Sequence, residues 1–203
     1  MLAFLSKGGI LVVPILFCSV LVLAIFLERI IRYAVNRRRG KEIETKIADL
    51  MAAGREADAL ALSRQSNCPM GRVLEKAIQA KDLDRDMLES VIVNATENEV
   101  RGLSAYLQAL ATIGNIAPLL GLLGTIIGMI KAFMVIQDMG GKVNAAVLAG
   151  GIWEAMLTTA LGLAVALPTM VAHSYLLAKV GTYEARLQNG SVLFLKSVST
   201  KVK

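Results

Sequence analysis

The 203-residue sequence predicts an all-α membrane protein. It has three transmembrane helices, the second and third long and extending into the cytoplasm, and a helical cytoplasmic segment. Three observations predict this. Apolar residues make up 55% of the chain and charged residues 19%, against roughly 45–50% and about 25% in soluble domains. The apolar excess is concentrated in three blocks. Charge is segregated away from them: 14 of the 22 Lys and Arg and 13 of the 16 Asp and Glu lie in 28–107. Such segregation excludes a single soluble globule and a disordered chain.

Residues 1–9 form a short outer segment. The first span, 10–31, is built on Ile10 to Leu27, which carries no charge and reaches roughly 27 Å as a helix, enough to cross a bilayer core. It reads as a retained anchor rather than a cleaved leader. It is long for a leader's apolar stretch, and Glu28-Arg29-Ile30-Ile31-Arg32 follows instead of small residues. Residues 32–106 are cytoplasmic and helical. Ile43, Ile47, Leu50 and Met51 recur at helical spacing, as do Leu60, Val73, Leu74 and Ile78. Gly54, Asn67-Cys68-Pro69 and Asp82 to Asp84 punctuate them. No Gly or Pro stands between Asp84 and Gly102, so the last of these helices is expected to run unbroken into the second span.

That second span is 107–136 and the third is 145–180, joined by an outer loop at 137–144. A cytoplasmic helix, 181–203, completes the chain. Lys7 alone precedes the first span, whereas Arg29, Arg32, Arg37, Arg38, Arg39 and Lys41 follow it, and five more bases follow Val165. The positive-inside rule therefore puts the N-terminus outside and the C-terminus in the cytoplasm. This topology accounts for the net charge of +6 without a nucleic-acid partner. Cys18 and Cys68 fall in an apolar and a charged block, and read as two inert thiols.

On a helical wheel, Gly114, Pro118, Gly121, Thr125, Gly128 and Ala132 cluster on one face of the second span, while bulky aliphatics take the rest. A small face allows close helix packing in a membrane. In the third span Glu154 is the only acid, about 13 Å in from Ala145. A carboxylate costs at least about 2.5 kcal/mol at such depth, so it belongs in a bundle interior, in water or beside a partner. Three roles are open to it: a place at the outer interface, a hydrogen-bonding link between helices, or a protonatable group that handles ions. Low dielectric favours the neutral form of a carboxyl, which brings proton exchange within reach. Thr158, one turn on, shares its face, and Thr159 points elsewhere. Lys131, near the outer end of the second span, is expected to snorkel to the surface. Enzymatic readings fail for want of a His-Glu-x-x-His pair, a Ser/His/Asp set or a phosphate loop. No metal ligand set and no cofactor is expected.

The segment Pro118-Leu119-Leu120-Gly121-Leu122-Leu123-Gly124-Thr125-Ile126-Ile127-Gly128 resembles the second-span signature of the MotA/TolQ/ExbB proton channel family. Gly151-Ile152-Trp153-Glu154-Ala155-Met156-Leu157-Thr158-Thr159-Ala160, continuing to Gly162 and Ala166-Leu167-Pro168, resembles its third-span signature. Lys7-Gly8-Gly9 with Pro14 and Leu27-Glu28-Arg29 is most similar to the ExbB branch. The resemblance implies a homopentamer in the bacterial inner membrane, with 1–9 and 137–144 periplasmic. Its second and third spans would enclose the single spans of two ExbD/TolR-type chains. Work driven by H+, with Na+ an alternative ion, would reach a TonB-like protein. It implies an ion pathway through Glu154, Thr125 and Thr159, with Thr158 kept as a candidate. Gly114, Pro118, Gly121, Gly124, Gly128, Ala155 and Gly162 would pack helices and line the pore. A TolQ-like role in envelope integrity and constriction, or a passive assembly scaffold, are the alternatives. Lys131 departs from the neutral residue expected at its place.

Overall fold

A computed structural model describes residues 10–40, 42–138 and 145–199. The readings made for 1–9, Lys41, most of the 137–144 loop and 200–203 lie outside these. Among the described residues seven helices follow in order: α1 Val12–Arg39, α2 Ile43–Ala52, α3 Glu56–Gln65, α4 Pro69–Gln79, α5 Arg85–Ser104, α6 Leu107–Asp138 and α7 Ala145–Ser199. No strand occurs among the described residues, and the protein is all-α. Stretches long and apolar enough to cross a membrane lie within Val12–Asn36, Arg85–Asp138 and Leu148–Val198.

The chain divides into two compact units. One comprises the residues up to Leu27 with Tyr106–Tyr175, the other Glu28–Ala105 with Leu176–Lys203. The first is a membrane unit by its surface. Phe17, Val20, Leu119, Phe133, Leu167 and Val171 are all exposed, a covering of large apolar side chains that suits lipid or partner helices and not water.

The second unit is built around an apolar core. Ile43, Ile47 and Met51 of α2, Val73, Leu74, Ala77 and Ile78 of α4, and Leu88, Ile92 and Ala95 of α5 are buried together with Leu187 and Phe194 of α7. Each large aliphatic so buried contributes about 1.5–3 kcal/mol. Leu50 and Leu60 pack on its margin. The turns follow the sequence. Gly54 takes the left-handed conformation (φ 75°) and ends α2, with its N–H donating to the Met51 carbonyl at 3.1 Å. Cys68 caps α4 by accepting from the Gly71 N–H at 3.4 Å, with Pro69 in the first turn. Arg186 forks onto both carboxylate oxygens of Glu44 at 2.9 and 3.0 Å, fastening α7 to α2.

One expectation is corrected. The helix leading to the second span does not run through unbroken: α5 ends at Ser104, Ala105 is extended (ψ 141°) and Tyr106 has φ 65°. The cause is Arg29, which is fully buried (0% exposed). Its guanidinium donates to the Gly102 and Leu103 carbonyls at 3.2 and 3.4 Å, and Tyr33 Oη donates to Leu103 at 2.7 Å. A cation on the last carbonyls of α5 offsets the helix dipole and satisfies groups that the helix would otherwise leave open. Glu28 in turn lies 2.8 Å from Arg29 Nε. Arg29→Met is expected to lower stability by about 1.5–3 kcal/mol, the usual worth of charge-assisted bonds. Thermal unfolding in detergent measures it, and faster chymotryptic cleavage after Tyr106 would locate the loosening.

Candidate functional site

The site is the pairing of α6 with the Ala145–Tyr175 part of α7. Gly114, Ala117, Gly121, Gly124, Gly128 and Ala132 are buried on α6. Ala155, Thr158, Ala166, Thr169 and Ala172 are buried on α7, with Gly162 among them. Proximity is read from where a side chain would meet its neighbour. A Cβ on Gly114 would touch Thr169 and Met170, one on Gly121 Thr158 and Thr159, one on Gly128 Ala155. Each step forward on α6 is thus a step back on α7, and the helices are antiparallel. The approach is close: a Cβ on Gly162 would lie 2.6 Å from the Ala117 carbonyl oxygen and 3.2 Å from Gly121 Cα. Small residues alone permit this.

The buried stripe is turned relative to the wheel. Ala117 and Gly124 lie inside it, whereas Pro118 and Thr125 are only half-buried at its edge. The wheel was centred on the most polar residue, but the helices meet where their backbones come closest, along Gly121 and Gly128.

The hydroxyls have distinct partners. Thr159 Oγ1 donates across the pair to the Gly121 carbonyl at 3.0 Å. Thr158, 2% exposed, donates to Ala155 at 2.7 Å within its own helix, and its Cβ fills the space a Cβ on Gly124 would need. Thr125 donates to Leu122 at 2.7 Å. Thr158 and Thr159 therefore both belong to the helix contact, one through its bulk and one through a hydrogen bond.

Glu154 is half-buried, and Lys131 Nζ stands 3.9 Å from its Oε1. The side chain of Lys131 is 57% exposed, and its ammonium faces the carboxylate. Sequence reasoning missed this partnership, although the register carries it. With Gly128 opposite Ala155 and Ala132 opposite Gly151, position 131 must face position 154. At this separation two unit charges attract by about 1 kcal/mol in water and about 4 kcal/mol at the effective dielectric near a protein surface. The attraction is therefore appreciable only if the site is partly shielded from water. Among the described residues no three His, Cys, Asp or Glu side chains group to hold a metal.

Comparison with known proteins gives the family. The biopolymer transport protein ExbB of Salmonella typhimurium is 29% identical over 196 residues, covering 91% of this chain and 80% of its own. The protein called ExbB-like 3 in Synechocystis sp. is 30% identical over 166 residues, 81% of this chain and 79% of its own. The ExbB protein of Neisseria meningitidis serogroup A is 28% identical over 192 residues, 86% of each chain. Residues 65–189, which contain the whole α6–α7 pairing, match the family model, and the chain belongs to the MotA/TolQ/ExbB proton channel family.

Proposed function

We propose that this ExbB-like chain is the channel-forming motor subunit of a bacterial inner-membrane complex, N-terminus periplasmic and C-terminus cytoplasmic. It couples proton-motive force to mechanical work through two copies of an ExbD/TolR-type single-span partner held in a pentamer of this chain. The output energises outer-membrane transport through a TonB-like protein. The observation that carries the reading is Glu154, an acid held at a helix contact within an apolar span and facing a single counter-charge. Protonation neutralises it, deprotonation restores its charge, and each state favours a different arrangement of the helices around it. Thr159 and Thr125 border the same helix pair, with Thr158 packed beside them. A passive scaffold draws on the same pair, since an ion pair also links helices. TolQ-like work in envelope constriction would use the same site with a different partner.

The test is to extract the complex gently from its native membrane and weigh it intact. Five copies with two of a single-span, Asp-bearing chain is the expected mass, and the partner's identity decides between transport and envelope work. A complex of this chain alone, after crosslinking before extraction, overturns the motor reading.

A further inference from the structure

The position of Lys131 reaches further than a link between helices. The backbone at Lys131 is placed by close packing on α7. One turn before it, Gly128 abuts Ala155, with 3.0 Å left for a Cβ, and the neighbouring Ala132 abuts Gly151, with 2.6 Å. These contacts bracket the pair and fix Lys131 opposite Glu154. Among the described residues Lys131 is the only ion-pair partner of the acid. On α7 no charged residue stands within two turns of Glu154, and His173 is nineteen positions away. On α6 the only other charge is Asp138, two turns beyond Lys131 at the helix end. The Val12–Leu27 part of α1 brings none.

We propose that Lys131 is a positioning residue whose ammonium takes the place of a mobile cation beside Glu154 and so restricts the site to protons. This rests on the reading of Glu154 as the ion-handling group. A hard metal cation needs several oxygens around it at once. The oxygens near Glu154 are poorly disposed to supply them. Thr158 is closed against Gly124, Thr159 is directed to the Gly121 carbonyl, and a positive charge stands 3.9 Å from the carboxylate. A proton needs one lone pair, and either carboxylate oxygen provides it.

The test uses the intact complex in proteoliposomes, with proton flux followed under an imposed potassium diffusion potential. Flux through the natural protein should not change when sodium replaces choline at constant ionic strength. Lys131→Met should make flux sensitive to sodium. Lys131→Arg, which keeps the charge, should restore sodium indifference. Sodium dependence of the natural protein, or sodium indifference of Lys131→Met, overturns the proposal. Glu154→Gln separates the two levels of the argument. Flux that persists in that variant defeats the functional reading itself, whereas flux lost there with no effect at Lys131 defeats only the role of the lysine.

Discussion

Glu154→Gln is expected to reduce ion-driven flux to the leak of empty liposomes while leaving the assembled complex intact. Glutamine keeps the length of the side chain and its capacity to hydrogen-bond, so a carboxyl that merely joined helices would be replaced at little cost. Interhelical polar contacts in membranes average about 0.6 kcal/mol. What glutamine cannot do is exchange a proton. Lys131 loses its counter-charge in this variant, but its side chain is 57% exposed and its ammonium reaches water, which limits the penalty to about 1 kcal/mol. Flux and assembly therefore separate. Flux measured as in the lysine experiment, with size-exclusion chromatography of the same preparation, reads both. Retained flux with retained assembly would leave Glu154 a structural link and return weight to the scaffold.

The parts of this molecule that were legible in the sequence are those set by local composition. Three apolar blocks and the placement of charge between them are enough to give an all-helical chain with long apolar helices, because burial in lipid and burial in water impose opposite compositions over tens of residues. The core of the second unit was legible in part, since Ile43, Ile47, Val73 and Ile78 repeat at helical spacing and are buried together. What was not legible depends on partners far apart in the chain. The break after Ser104 lies two residues past Gly102, and that glycine alone does not announce it. It follows from Arg29 and Tyr33, some seventy positions earlier, reaching the carbonyls of Gly102 and Leu103. The partnership of Lys131 with Glu154 was not legible for the same reason. A wheel orients one helix but does not say which residue of a second helix lies opposite, and the register needed for that is set by contacts such as Gly162 with Ala117. The wheel's error at Thr125 is related: polarity pointed to one edge of the stripe, and closeness of backbones decided its centre.

That register makes Gly162→Ala a strongly disruptive small change in the membrane unit. The added methyl would stand 2.6 Å from the Ala117 carbonyl oxygen and 3.2 Å from Gly121 Cα. Both are backbone atoms of α6, with no flexible side chain to yield, so the helices must move apart. Separation also lengthens the Thr159 bond to the Gly121 carbonyl, now 3.0 Å, and draws Lys131 away from Glu154. Overpacking of a tight contact costs about 1–3 kcal/mol, and a collision with backbone belongs at the upper end. The same substitution at Gly181, also within α7, is the control. A Cβ there meets nothing within 4 Å, and alanine gains about 1 kcal/mol over glycine in a helix interior. Thermal unfolding in detergent should therefore show Gly181→Ala at or above the natural protein and Gly162→Ala well below it. Equal behaviour of the two would mean that the helices are not in backbone contact at Gly162, and the opposition of Lys131 and Glu154, which follows from that contact, would lose its foundation. If instead stability falls only at Gly162 and the surviving flux becomes sensitive to sodium there as in Lys131→Met, close packing and ion handling are one device. The glycines hold the lysine where it can act on the acid.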